Sequence, residues 1–234
     1  MTLSQDLLAR LRDCDTPTVC NAIEVAQGRR GFAGFTRATM SWSGDLYTRI
    51  VGFARTAHIA GRQPPDEPPD VLRARRMAYF RAMAGGARPG VAVVKDMDGE
   101  AALGAWWGEV HAAVHANVFG LAGAVTNGLM RDLGDLPASF PVLAGGIGPS
   151  HGFVHVRQIG APVEIFGLSV AQGDLIHADV HGALVIPPEV LPVLDAALDK
   201  LAQSEALVLG PLADGPVSFE AFEAHWAAFE KART

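Results

Sequence analysis

Leu3, Leu7, Leu8 and Leu11 recur at helical spacing among charged residues, which predicts an amphipathic N-terminal helix ending near Asp15-Thr16-Pro17. Residues 18–25 read as a second short helix stopped by Gly28. Residues 50–59 are strand-like, and the adjoining loop 61–69 holds four prolines and no periodicity. Asp70 then reads as the cap of a helix through Met83, closed by Gly85-Gly86. Residues 90–95 (GVAVVK) are a short buried strand that turns at Asp96-Met97-Asp98-Gly99. A helix is predicted over 101–117, with Gly104 and Gly108 early in it and Gly120 as its stop. Residues 122–126 (AGAVT) form another buried strand and Asn127-Gly128 a tight turn; 129–136 (LMRDLGDL) read as a short helix and 141–144 as a short strand. On this reading Arg131 and Asp132 fall just after a strand at the opening of a helix, where α/β folds collect ligands.

From Phe153 the pattern changes to short apolar segments (FVHV, PVEIFG, DLIHAD, GALVIP) separated by Gly and Pro, a β-rich layer and not a continued βαβ series. Helices close the chain over 188–207 and 219–231. The order of elements predicts one α/β domain over 1–234, with helices at about 3–26 and 188–231 flanking the core.

Composition narrows the function classes. Apolar residues make up 49% and charged residues 19%, with mean hydropathy +0.20, so material for a core and for subunit contacts is ample. A net charge of −6 and the lack of any basic run argue against a nucleic-acid surface; the densest group, Arg73, Arg75 and Arg76, lies in one predicted helix. Cys14 and Cys20 are too few for a disulfide framework and lack zinc-site spacing, so reduced thiols are expected. The charged start MTLSQDLLARLRDCD lacks the apolar core of a signal peptide, and no apolar run reaches membrane-spanning length. The expectation is a soluble, cytoplasmic protein.

Three groups of residues are candidates for chemistry. In Arg131-Asp132, a guanidinium fork can grip a carboxylate in two parallel bonds while the adjacent Asp takes a hard divalent ion; the bland alternative is a solvated surface pair. In Gly108-Glu109-Val110-His111, the glycine admits a ligand to the backbone, first-turn N–H groups can bind an anion, Glu109 can bind a metal through water or take a proton, and His111 can do acid/base work. The alternative there is a solvent-facing stripe. His177, Asp179 and His181 share one face if 177–181 is a strand, but Asp179–Gly182 (DVHG) also reads as a turn that splays them, the preferred reading. His151 and His155 read as structural. No Ser-His-Asp elbow, phosphate loop or dinucleotide fingerprint is present.

Residues 108–133 (GEVHAAVHANVFGLAGAVTNGLMRDL) resemble the RraA-like family, which includes 4-hydroxy-4-methyl-2-oxoglutarate/4-carboxy-4-hydroxy-2-oxoadipate aldolases and the regulator of ribonuclease activity A. The resemblance extends through TPTVCNAIE, VGFARTAHIAG, RPGVAVVKDMDG, FPVLAGGIGPS and APVEIFGLSVAQGDLIHADVHGALVIP, in the family's order. It implies a swivelling β/β/α fold, assembled as a homotrimer or a dimer of trimers with sites at subunit boundaries and the terminal helices packed on the core or on neighbouring subunits. It also implies a Mg²⁺- or Mn²⁺-dependent retro-aldol reaction releasing pyruvate, with oxaloacetate decarboxylation as a side activity. Carried over, Glu109 is the family's acidic residue, Arg131 grips the pyruvyl carboxylate and Asp132 holds the metal. Backbone N–H groups around Val110 and His111 complete the anion pocket beside Gly108, and Glu205 is the candidate contributed by a neighbouring subunit's C-terminal helix. The 21 residues between Glu109 and Arg131 are one more than the usual aldolase interval, which reads as a subfamily mark. Trp106, Trp107 and the Pro-rich loop are read as core or as lining beyond the pyruvyl end. Two alternatives stand beside the aldolase: a dedicated 2-oxo acid decarboxylase, and a non-catalytic protein-binding regulator.

Overall fold

The computed structural model describes residues 3–233. In chain order the elements begin with α1 (Gln5–Asp13), α2 (Thr16–Gln27), β1 (Ser41–Trp42), β2 (Ile50–Ala60), α3 (Pro69–Ala84) and β3 (Gly90–Asp96). Next come β4 (Ala105–Trp107), α4 (Glu109–Asn117), β5 (Leu121–Thr126), β6 (Leu129–Met130), β7 (Val142–Ala144) and β8 (Gly146–Ile147). The last part holds β9 (His155–Ile159), β10 (Val163–Ile165), β11 (Leu168–Val170), β12 (Leu175–Asp179), β13 (Gly182–Ile186), α5 (Leu194–Ala213) and α6 (Phe219–Arg233). Two compact units result: residues up to Thr16 with Gly34–Ile186, and Pro17–Ala33 with the chain from Pro187 onward.

The larger unit is built on an eight-stranded sheet in the order β1-β7-β5-β3-β2-β12-β13, with β9 also paired to β2. β2, β3, β5 and β7 run parallel, and β1, β9, β12 and β13 complete the sheet antiparallel. Eleven-residue β2 is long enough to pair β12 through its first half and β9 through its second. Side chains of β3 alternate between two cores. Ala92 and Val94 join Tyr79 and Met83 of α3 and Ala112 of α4, whereas Val91 and Val93 join Val163 and Ile165 of β10 and Leu168 and Val170 of β11. With both faces covered, β3 reads as an unbroken apolar run.

A second, three-stranded parallel sheet, β4-β6-β8, carries the residues of chemical interest. It overturns two expectations. Residues 129–136 are not a helix: Leu129 and Met130 pair with Ala105 and Trp107 on one side and with Gly146 and Ile147 on the other. Residues 101–117 are likewise not one helix: a 3₁₀ turn at Gly99–Ala101 is succeeded by β4, and α4 begins only at Glu109, with Gly108 as its extended N-cap. Ladder bonds between distant segments and the β preference of the two tryptophans outweigh the helical pattern of the alanines. Two smaller expectations are corrected as well. Pro68, not Asp70, occupies the cap of α3, and Asp70 lies in the first turn. The segment 168–170, unassigned from sequence, is β11, reached from β10 by a two-residue turn at Phe166-Gly167 with both φ values positive, 46° and 82°.

The DVHG segment is the turn between β12 and β13, with Asp179 opposite Gly182. His177, Asp179 and His181 serve structure. Asp179 Oδ2 accepts the Thr16 N–H (2.9 Å) and Oδ1 the His181 N–H (2.8 Å), while His177 bonds the Leu11 carbonyl (2.8 Å) and the Thr16 hydroxyl (3.0 Å). In the smaller unit α5 buries Leu194, Ala197, Leu198 and Leu201, and packs against α6. Glu205 is half-buried on α5. Among the described residues no helix is long and apolar enough to cross a membrane.

Candidate active site

β4 and β6 lie side by side and parallel, so the segments leaving their C-terminal ends meet. Beyond β4 come Gly108 and the first turn of α4; beyond β6 come Arg131 and Asp132. The Arg131 N–H donates to the Trp107 carbonyl at 2.8 Å, which extends the pairing by one step. Asp132 then leaves the strand with φ 57°, in the left-handed region that Asp tolerates better than most residues. Its carbonyl accepts from Asp135 and Leu136 (2.9 and 3.0 Å), closing a turn where a helix had been expected.

This turn aims the Asp132 carboxylate at the start of α4. Its Oδ2 accepts the Glu109 N–H at 3.1 Å, and Arg131 Nη1 lies 3.5 Å from its Oδ1. Gly108 is needed for the approach: a Cβ there would sit 2.6 Å from Asp132 Oδ2 and 3.0 Å from Arg131 Nε. The first bond internal to α4 is Ala112 N–H to Gly108 C=O (2.9 Å), so the amides of Val110 and His111 precede it and stand at the positive end of the helix dipole.

A cavity of about 700 Å³ opens at this point. Gly108, Val110, His111 and Arg131 line it, and Leu72, Met77 and Phe80 of α3 form part of its far wall. The lining includes Arg76 and Arg131 and no Asp or Glu, which makes it a place for an anion. Of the residues singled out from sequence, the structure gathers Gly108, Glu109, Val110, His111, Arg131 and Asp132 around one helix start. Glu109 points outward, exposed. His151 and His155, read as structural, also line the cavity, and Pro65 brings in the Pro-rich loop.

Behind the cavity lies a network that sequence reasoning missed. His115 Nδ1 is 2.6 Å from the His111 carbonyl, which can only accept, so Nδ1 carries the proton. Burial pushes the His115 pKa down to about 4, so the ring is neutral at pH 7 and its Nε2 must accept the Tyr79 hydroxyl at 2.8 Å. The Tyr79 oxygen in turn accepts Trp106 Nε1–H at 3.3 Å. The chain thus has one direction, from Trp106 through Tyr79 and His115 to the backbone of His111. The signal available in sequence was the four-residue spacing of His111 and His115, which puts both on one face of a helix. His111 itself is pushed down to about 3, chiefly by burial, with His115 and Arg76 adding to the effect. The ring is therefore neutral near pH 7.

Asp96, at the end of β3, is buried and its pKa is raised to about 6, burial outweighing the bond it accepts from the Asp98 N–H. Asn127 clasps the backbone of this residue from both sides (2.8 and 2.9 Å), tying the end of β5 to the end of β3 before the chain enters β6.

Fold and site together define an α/β protein with an anion-receptive cleft where strands of a small parallel sheet meet a helix start. The chain belongs to the RraA-like family: the family's Aldolase/RraA model matches residues 16–185. An uncharacterized protein from Pseudomonas syringae pv. tomato shares the fold over the full length of both chains, at 19% identity and a TM-score of 0.68. Streptomyces coelicolor RraAS2, described as an unusual member of the RNase ES inhibitor RraA protein family, does so at 24% identity and a TM-score of 0.64, over 88% of this chain and 96% of that one. An uncharacterized protein of Methanocaldococcus jannaschii is 36% identical over 88 residues, 37% of this chain and 42% of its own length. The expected mixed α/β fold is therefore the one found.

Proposed function

We propose that this chain is a divalent-metal-dependent carbon–carbon lyase that cleaves a 4-hydroxy-2-oxo acid and releases pyruvate. The observation that carries the reading is the convergence of Arg131, Asp132 and the open first turn of α4 on one side of Gly108, at the edge of a cavity lined by no acidic residue.

On this reading Arg131 holds the substrate carboxylate with its planar fork, and the amides of Val110 and His111 share that charge. The C4 hydroxyl gives up its proton as the C3–C4 bond breaks, the bonding pair moves into the pyruvyl half as an enolate, and protonation at C3 gives pyruvate. Glu109, exposed at the helix start, orients water for that proton transfer. Among the described residues no three His, Cys, Asp or Glu side chains are grouped to cage a metal ion. A single carboxylate completed by water and substrate oxygens is nonetheless a usual way to hold Mg²⁺, so the donor set fits a water-rich site at Asp132. A bound Mg²⁺ or Mn²⁺ would act as a Lewis acid on the 2-oxo group. The proposal includes assembly in the cytoplasm as a homotrimer or a dimer of trimers, with Glu205 supplied by a neighbouring subunit; light scattering on the purified protein tests the assembly.

The test of activity is a lactate-dehydrogenase-coupled assay of pyruvate release over a panel of 4-hydroxy-2-oxo acids, repeated after chelation. Turnover that is lost with EDTA and restored by Mg²⁺ or Mn²⁺ is expected. Arg131→Lys should cost roughly 100-fold in kcat/KM, because a point charge does not reproduce a two-pronged grip; near-normal turnover in this variant would remove Arg131 from the mechanism. Loss of CO₂ from oxaloacetate gives the same enolate, so relative turnover on the two substrate types separates an aldolase from a dedicated decarboxylase. A regulator is the second reading, favoured by the ribonuclease-inhibitor description of the Streptomyces relative. It predicts no pyruvate from any substrate, with inhibition of a ribonuclease in its place.

A further inference from the structure

His111 lines the cavity three residues beyond Gly108, and five aromatic rings surround its own. Trp106 meets it edge-on at 4.3 Å between ring centres, His115 lies at 4.8 Å, and Phe80, Trp107 and Tyr79 lie at 5.7, 5.9 and 6.4 Å. Its carbonyl is fixed by His115, at the end of the directed chain from Trp106. Nδ1 is sealed among these rings with no hydrogen-bond partner among the described residues. Nε2 likewise has no hydrogen-bond partner among the described residues but is not sealed as Nδ1 is, and the residue lines the cavity. A rigid imidazole with one free nitrogen on a cavity wall is built to meet a polar group that arrives with a ligand.

We infer that His111 Nε2 hydrogen-bonds the 4-hydroxyl of the substrate and orients it for cleavage. The assignment rests on the lyase reading above and deepens it. A hydroxyl is the fitting partner because it both donates and accepts. With the ring's proton on Nε2, the hydroxyl oxygen accepts from Nε2–H and its own O–H stays free to be given up; on the reading above the carboxylate would be taken by Arg131 and the 2-oxo oxygen by the metal, which leaves the 4-hydroxyl for His111. The role is to position: His111 turns the O–H toward the group that removes its proton and does not take the proton itself. Arg131 and the helix-start amides then fix one end of the substrate and His111 the carbon that leaves, so both ends of the C3–C4 bond are held by groups from a single helix start and its neighbouring turn.

The test uses two reactions that differ in this hydroxyl. Cleavage of 4-hydroxy-2-oxo acids needs it, and decarboxylation of oxaloacetate, which has none, does not. His111→Phe keeps an aromatic ring in the cage and the backbone amide of the anion pocket but removes both nitrogens; it is expected to lower kcat/KM for aldol cleavage roughly 10- to 100-fold relative to oxaloacetate decarboxylation by the same variant, the loss of one hydrogen bond to a reacting group. His111→Gln, which restores a polar end, should recover part of the aldol activity. Equal losses in both reactions, or no loss in either, overturn the assignment, and so does a His111→Gln variant no better than His111→Phe. Melting temperatures of both variants are measured alongside, since a merely structural role would lower stability and both activities together. Wild-type protein inactive on every substrate refutes the lyase reading itself, an outcome distinct from selective failure of His111.

Discussion

Gly108→Ala isolates the geometry of the site from the stability of the fold. Gly108 is extended, with φ −132° and ψ 178°, a conformation any residue adopts, so alanine meets no backbone strain. The added Cβ instead meets Asp132 Oδ2 at 2.6 Å, roughly 0.8 Å inside ordinary van der Waals contact, with Arg131 Nε at 3.0 Å and Arg131 Cγ at 3.2 Å. The carboxylate has to retreat. A shift of that size takes Oδ2 away from the Glu109 N–H, now at 3.1 Å, and displaces Arg131 with it. Loss of this half-exposed capping bond costs on the order of 1 kcal/mol, partly offset by the smaller chain entropy of alanine in the unfolded state. The net change in Tm should then be no more than about 3 °C for a chain of this length. Activity should suffer far more: a displacement near 1 Å of positioned groups is expected to lower kcat/KM about 100-fold. The coupled pyruvate assay and a thermal melt, run on the same preparation, give both numbers. A Gly108→Ala protein with wild-type kcat/KM would falsify the placement of the site at this turn; one that fails to fold would show that Gly108 serves the core and not the ligand.

Two further predictions concern the supporting structure. Asp96 has its pKa raised to about 6 by burial, so the folded state prefers it protonated; stability falls as pH rises from about 4 to 6, and the cost is fully present above that window. Asp96→Asn should therefore raise Tm by several degrees at pH 7.5, from roughly 1–3 kcal/mol of relieved burial, with the gain gone at pH 4; an equal gain at both pH values would show that ionisation is not the cause. Tyr79→Phe removes the hydroxyl that donates to His115 and accepts from Trp106, leaving both buried groups unpaired. A loss of about 2–4 kcal/mol in chemical denaturation is expected, and a loss below about 0.5 kcal/mol would mean that water replaces the hydroxyl.

Much of this architecture was legible in the chain because it is locally encoded. The buried strands β3 and β5 announce themselves as apolar runs, since both faces are covered. Gly120 stops α4 with φ 65°, and the DVHG segment turns as its composition indicates. That Arg131 and Asp132 come directly after a strand was also readable, although the strand is β6 and the turn of Asp132 replaces the predicted helix. The buried strands of the large sheet and several turns were thus legible in sequence, whereas β4, β6 and the start of α4 were not. What sequence left open was how these groups meet. β4 and β6 are three and two residues long, too short to show a period, and they form only by pairing with distant segments, β4 with β6 and β6 also with β8. The bond from Glu109 to Asp132 spans 23 positions, and the aromatic cage around His111 draws on α3, β4 and α4 at once. Local periodicity reports which face of an element is apolar. It carries no information on which distant partner that face finds, so only the packed structure decided that a glycine, a guanidinium and a neutral imidazole line one cavity, with a carboxylate bonded to the helix start beside it.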